Sequence, residues 1–296
     1  MQISTSTLYD SATRRMAALQ SKANDLMTQN ATGKRLTRPS DDAAASAQIA
    51  QLDRADADAD AYKSNLSLAR SVLQQVDTTL GSISSQLTNA IELATKAANG
   101  TLNDYDRSVI GDQLSAIRDQ LVTLGNTRDL RGQPLFGTND GTNAVQLSGS
   151  TVSYADSTVS AVPIDRDQSV EVTVGAKQVF QSGSTDAFAV LGDLITALKT
   201  SGSSNDTVRN SIDKLKAAND NVGSVQASIG ARETRVSLQE TLMGTASTDR
   251  ATMRSNVEDA DITTNIAQLQ QTMTVLQATQ ASFTKLSGLS LFDYLK

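Results

Sequence analysis

The chain has 296 residues, only 3% of them aromatic and none of them Trp, and its formal net charge is -6. So few aromatic side chains argue against a large globular core and favour thin helical bundles, and the acidic balance argues against a nucleic-acid partner. Cys and His are both absent, which excludes disulfides, Cys/His zinc sites and catalysis by thiol or imidazole groups. We therefore expect no cofactor and no metal site.

The first predicted element is an amphipathic helix close to the amino terminus. Its apolar residues recur at alternating spacings of three and four, which is typical of a coiled-coil seam: Tyr9, Ala12, Met16, Leu19, Ala23 and Leu26. Residues 1–10 lack the apolar core of a secretory signal peptide, and no apolar run in the chain is long enough to span a bilayer. The stripe therefore predicts a packing face, with neither a cleaved signal nor a membrane anchor.

A long helix is predicted over residues 40–99, because apolar residues keep the seam spacing through this whole stretch. Ser40 is the expected N-cap, Asp41 and Asp42 complement the helix dipole, and Gly100 ends the helix. A second helix, from Asn103 to about Thr127, follows a short turn. We expect it to fold back antiparallel to the first.

Helical spacing disappears between residues 136 and 183, where Gly, Asn, Ser and Thr become frequent. Five short runs here favour strands: 144–147, 151–154, 158–162, 169–174 and 178–180. The sequence therefore predicts a small β-rich insert between helical arms.

Helix is predicted again at residues 187–200, and a second long helix starts with Asn205 or Asp206 as its cap. Apolar residues recur every seven positions in it, as far as Met243. The last helix repeats the seam spacing of the first: Ile262, Ile266, Leu269, Met273, Leu276 and Phe283. We predict that the first and last helices pair with each other and with neighbouring copies.

The predicted fold is mainly α: an elongated antiparallel bundle of long helices, with the terminal coiled-coil helices paired at the base and a small β-rich domain inserted at the far end. Five segments follow: an N-terminal assembly helix (1–38), two halves of the helical rod (39–135 and 186–256), the β-rich outer domain (136–185) and a C-terminal assembly helix (257–296). Short helices with polar residues in their seams are marginal alone. We therefore predict that roughly the first and last 35 residues become ordered only on assembly.

Four stretches in this order resemble the flagellin family of bacterial flagella, and they cover both helical arms. The resemblance is carried by Gly33-Lys34-Arg35-Leu36 with Pro39-Ser40-Asp41-Asp42-Ala43-Ala44, Glu92-Leu93-Ala94 with Ala97-Ala98-Asn99-Gly100-Thr101, Val257-Glu258-Asp259-Ala260-Asp261, and Ser290-Leu291-Phe292-Asp293-Tyr294-Leu295. The last stretch resembles the tail of the family's junction subunits rather than that of its filament subunits.

The resemblance implies a structural subunit without enzymatic activity, located in the extracellular flagellum and exported through the flagellar type III apparatus with an export chaperone. It implies a ring of neighbouring copies that joins the hook, through hook-associated protein 1, to the flagellin filament. The expected assembly contacts are the two terminal seams together with Leu289, Leu291, Phe292 and Tyr294, whose exposed apolar side chains need a partner.

Other interpretations remain open at this point. A filament flagellin is the alternative within the family, and an extracellular adhesin that uses the β-rich insert is the alternative from another class. An enzyme would need a carboxylate-only or metal-dependent site. Asp56, Asp58 and Asp60 imitate a calcium loop but lack its Gly and its terminal Glu, so a solvated acidic helix face is favoured. Gly33-Lys34 imitates a phosphate loop, but a helix break with a basic link is favoured.

Overall fold

The computed structural model describes residues 2–129, 131–137, 142–148, 151–155, 161–201 and 205–288. These ranges are mainly helical, which confirms the predicted fold class. Two compact units are present, one formed by residues 1–58 and 246–296 and the other by residues 59–245. We refer to them as the terminal unit and the central unit.

Seven helices lie in the described ranges: α1 (Gln2–Thr32), α2 (Ala43–Ala97), α3 (Asp104–Gly125), α4 (Ala176–Phe180), α5 (Ala187–Lys199), α6 (Asn205–Glu258) and α7 (Ile262–Gly288). The long helices α2 and α6 each contribute residues to both units. No helix in the described part of the chain combines the length and the hydropathy needed to cross a membrane.

Six short strands form three antiparallel pairs within the described residues: β1 (Val145–Ser148) with β2 (Thr151–Tyr154), β3 (Ala161–Asp165) with β4 (Gln168–Glu171), and β5 (Gln181–Ser182) with β6 (Thr185–Asp186). The predicted strand at 178–180 is wrong, because these residues lie in α4. Gly175 precedes this single turn, and Val179 and Phe180 are buried by it. The predicted run at 158–162 lies partly outside the described residues, and β3 begins at Ala161.

The start of α2 differs from the prediction that Ser40 caps it. The helix begins at Ala43, and Asp42 Oδ1 accepts a hydrogen bond from the Ala45 amide at 3.0 Å. Asp41 closes the preceding turn instead, since its Oδ2 accepts from the Arg38 amide at 2.8 Å. These backbone hydrogen bonds lower the pKa of both carboxyl groups. Helix α3, predicted to start at Asn103, has this residue as its N-cap, because Asn103 Oδ1 accepts from the Asp106 amide at 2.8 Å.

The core of the central unit joins α2, α3, α5 and α6 to the β pairs. Its largest fully buried side chains are Phe136, Phe180, Phe188, Leu66, Leu73, Leu80, Ile83, Leu87, Leu114, Leu121, Leu135 and Ile164. Phe180 and Phe188 pack with ring centroids 4.7 Å apart. The chain reverses after α2 as predicted, because Gln75 Nε2 in the middle of α2 donates to the carbonyl of Arg128, just beyond α3, at 3.0 Å.

One polar contact ties the first β pair to α5. Tyr154 Oη donates to Asp186 Oδ2 at 2.6 Å, and the same carboxylate caps α5 by accepting from the Phe188 amide at 2.9 Å. Burial, together with the neighbouring carboxylate, raises the pKa of Tyr154. The phenol therefore stays protonated and keeps its hydrogen bond at neutral pH.

Candidate assembly interface

Helices α1 and α7 pack against each other antiparallel in the terminal unit. Tyr9 near the start of α1 meets Phe283 near the end of α7 edge to face, with ring centroids 5.5 Å apart and planes at 88°. At the other end of the pair, Asn265 Nδ2 donates to Gln29 Oε1 at 3.1 Å. The predicted pairing of the first and last helices is confirmed.

The seam between α1 and α7 buries few apolar side chains. Ala23, Leu26 and Leu276 are buried there, and the other inward-facing predicted residues are half-buried: Ala12, Met16, Leu19, Leu269, Met273 and Phe283. Polar Thr272 is also buried, at 6% exposure. A seam of this composition contributes little hydrophobic stabilisation for its length.

Two residues predicted for the α7 seam are exposed and are not buried against α1. Ile262 and Ile266 are 38% and 44% exposed. The inward face of α7 instead starts at Asn265 and passes through Thr272. The heptad template favoured apolar residues, whereas the fit against α1 selects a neighbouring stripe that includes polar ones.

Large apolar side chains therefore remain on the surface of the terminal unit. Tyr9 and Met27 on α1 are 37% and 44% exposed, and Val275 on α7 is 45% exposed. Together with Ile262 and Ile266, these side chains lie on more than one side of the two helices, and we call the five of them the terminal apolar surface. The predicted contacts Leu289, Leu291, Phe292 and Tyr294 lie outside the described residues.

The link after α1 is tied to the junction between α6 and α7. Gly33 ends α1 with a positive φ of 71°, a conformation that suits Gly. The Arg35 amide donates to the Glu258 carbonyl at 2.7 Å, and the Ala260 amide donates to the Gly33 carbonyl at 2.9 Å. Lys34 Nζ also forms an ion pair with Glu258. The interpretation of Gly33-Lys34 as a helix break with a basic link is confirmed.

Acidic residues of α2 bind arginines of α6 in the same unit. Asp56 Oδ1 accepts from Arg250 Nε at 2.6 Å, and Arg254 lies 2.6 Å from Asp53 Oδ1 and 3.1 Å from Asp56 Oδ2. The Arg250 hydrogen bond, with that of Arg254, lowers the pKa of Asp56. The acidic face is solvated as predicted, with the Asp56 side chain 39% exposed, and the structure adds its two arginine partners. The sequence signal for this contact was the spacing. The two aspartates are three residues apart and the two arginines four, so each pair lies on one face of its helix.

These carboxylates do not provide a candidate metal site. Within the described ranges, no three residues among Asp, Glu, His and Cys lie close enough together to hold a metal ion.

Comparison with known proteins agrees with the mainly helical fold. The model of the bacterial flagellin N-terminal helical region matches residues 3–144. Fold and sequence thus define a subunit of the flagellin class.

Flagellar hook-associated protein 3 of Salmonella typhimurium is 30% identical over 319 aligned positions, which cover 99% of both chains. The chain belongs to the flagellar hook-associated protein 3 family. A flagellin of Listeria innocua is 26% identical over 84% of both chains. A solved flagellar hook-associated protein from Vibrio parahaemolyticus shares the fold, with a TM-score of 0.70 and 23% identity over 74% of this chain and all of its own.

Proposed function

We propose that this chain is the structural subunit that joins the hook of the bacterial flagellum, through hook-associated protein 1, to the flagellin filament. The observation that carries the proposal is the match to hook-associated protein 3 over 99% of both chains. The flagellin match is weaker and covers 84%, so the junction role is favoured over that of a filament subunit.

The terminal unit supplies the physical mechanism of assembly. Its exposed apolar residues, Ile262 and Ile266 among them, lose their contact with water when a neighbouring subunit covers them, at about 25 cal/mol per Å². The paired terminal helices, together with Leu289, Leu291, Phe292 and Tyr294, then pack against those of neighbouring copies in a ring. Association is thus driven by apolar area that one chain leaves uncovered.

The route to the flagellum belongs to the same proposal. The chain travels unfolded through the flagellar type III export apparatus, escorted by an export chaperone and without a cleaved signal peptide. Sparse burial in the terminal unit supports this route, because a weakly packed pair of helices is easily kept unfolded before export.

Deletion of the gene tests the proposal. Electron microscopy of the deletion strain should show hooks without filaments, and immunoblots should detect unpolymerised flagellin in the medium. If this chain were itself the filament flagellin, the deletion strain would also have bare hooks, but no flagellin would be found in its medium. Filaments of normal number and length in the deletion strain would contradict the junction role.

A matched pair of variants locates the function in the terminal unit. Ile266→Asp should fail to restore filaments, since a carboxylate cannot be buried without a partner. Val109→Asp in α3 is the control, because Val109 is exposed to a similar degree, 41% against 44%. The melting temperatures of both purified variants should equal that of the parent chain. Restoration of filaments by Ile266→Asp would show that this residue is not part of the interface.

A further inference from the structure

The pair formed by α2 and α6 in the central unit has one face covered by the β3–β4 hairpin. Asn65 Nδ2 donates to the Pro163 carbonyl at 2.9 Å, and Gln239 Nε2 donates to Asp165 Oδ2 at 3.0 Å. Arg235 reaches Gln168 Oε1 at 3.4 Å. The tip of the hairpin, Arg166 and Asp167, therefore lies level with residues 235–239 of α6.

Another face of the same helix pair is an open groove of about 440 Å³. Arg70 and Gln74 line it from α2, and Glu233, Ser237 and Leu238 line it from α6. Ser237 is two residues from both Arg235 and Gln239, which places its side chain about 200° around the helix from theirs. The groove and the hairpin thus occupy different sides of α6 at the same level along it.

The groove has an apolar edge and an unsatisfied acidic group. Leu238 is 59% exposed at its edge. Glu233 Oε1 is fully buried and has no hydrogen-bond partner among the described residues. Arg70 is already paired with Glu240, at 3.3 Å. A buried carboxylate oxygen without a donor is costly, so the groove favours an occupant that brings a cation to Glu233.

The hairpin tip carries such a cation. Arg166 is exposed, and it forms no ion pair with any residue in the described ranges. Its guanidinium can donate two hydrogen bonds to a carboxylate. A ring of identical copies needs two different complementary patches on separate sides of each subunit. The hairpin tip and the groove meet that requirement, and their common level lets copies lie side by side.

We propose that the β3–β4 hairpin tip of one copy docks in the α2–α6 groove of the next copy, with Arg166 on Glu233. This contact rests on the proposed function, since it requires copies side by side in the junction layer. It differs from the terminal apolar surface, because both of its partners belong to the central unit.

Cysteine cross-linking tests the contact cleanly, because the chain contains no Cys. The full-length Asp167→Cys/Ser237→Cys variant keeps Arg166, and both of its Cys positions are exposed. It is expressed in the deletion strain, and isolated flagella are treated with a short bismaleimide cross-linker. Immunoblots should show a ladder of multimers, because each copy then carries both halves of the contact. Either single-Cys variant should remain monomeric, and a mixture of the two should yield dimers only.

The alternative results have separate meanings. Filaments restored without a ladder would overturn the docking contact and leave the proposed function standing. Dimers of a single-Cys variant would indicate a symmetric contact and would also overturn it. If this chain is absent from the base of the filaments, the proposed function fails, and the docking contact fails with it.

A charge exchange provides the second measurement. Arg166→Glu and Glu233→Arg should each reduce the number of filaments per cell, and the double variant should restore it, since opposite charges again meet between copies. Lys214→Glu is the control, because this exposed residue of α6 lies outside both surfaces. Failure of the double variant to recover, with both single variants folded, would overturn the pairing of Arg166 with Glu233.

Discussion

The terminal and central units bury apolar side chains in very different ways. In the central unit, Leu73, Val76, Leu80, Ile83 and Leu87 of α2 are all fully buried in one continuous core. In the described part of the terminal unit, the buried apolar residues are Ala23, Leu26, Ala45 and Leu276. The contrast indicates that the central unit holds its own fold, whereas the terminal unit buries little apolar surface of its own to stabilise it.

Hydrogen exchange of the free monomer should show this contrast most strongly. Amides of α2 between residues 73 and 94 should open with a free energy about 5 kcal/mol or more above that of amides in α1 and α7. Mass spectrometry of peptic fragments measures both sets in one sample. Equal, strong protection of the terminal helices in monomer would remove the distinction and contradict their ordering on assembly.

Truncation of one buried leucine in each unit should sharpen the comparison. Leu80→Ala should lower the free energy of unfolding by about 2–5 kcal/mol, because the cavity lies in a closely packed core. Both free energies are measured by unfolding in urea. Leu26→Ala should lower the free energy of unfolding by less than about 0.5 kcal/mol if α1 already frays in the monomer. The same variant should impair filament attachment in cells. A large loss of monomer stability on Leu26→Ala would show that the terminal pair is self-sufficient.

Acid should weaken the terminal unit by a smaller amount. The folded pKa of Asp56 lies below its ordinary value of 3.8, so the unfolded chain binds the proton first. The stabilising contribution is therefore present above about pH 4 and is lost as the pH falls through the folded pKa. Circular dichroism melts of Asp56→Asn should show a slightly lower melting temperature at pH 7 and a flatter dependence between pH 5 and pH 3.

Asp58→Asn is the matched control for the acid prediction, because Asp58 forms no ion pair with any described residue. Its melts should follow the parent chain across the whole pH range. A parent-like pH dependence for Asp56→Asn would show that the contact with Arg250 does not stabilise the fold.

Much of the fold could be predicted because its signals are local. The apolar spacing of α2 and α3 predicted helices whose ends differ from the structure by a few residues. Strand β2 was predicted at its observed bounds. The turn α4 was mistaken for a strand, since Val179 and Phe180 favour strands but Phe180 is held by its contact with Phe188.

The candidate interface was less predictable. Apolar spacing identified α1 and α7 as a pair, yet it did not separate the residues that face α1 from Ile262 and Ile266, which stay exposed. Several stripes of α7 satisfy a heptad template, and only the fit to α1 selects one. The family resemblance at the termini pointed to the flagellin class, and the full-length comparison with Salmonella hook-associated protein 3 established the family.

The amino-acid sequence by itself determined the mainly α class, the matching terminal helices and the position of the β-rich insert, because periodicity and turn chemistry act over a few residues. Only the tertiary structure decided which side chains of α7 stay exposed and that Asp56 binds Arg250. It also decided that the groove with Glu233 and the hairpin tip with Arg166 lie on different sides of α6, at the same level along that helix. These relations join residues far apart in the chain, so they depend on how the helices pack and leave no local signal in the sequence.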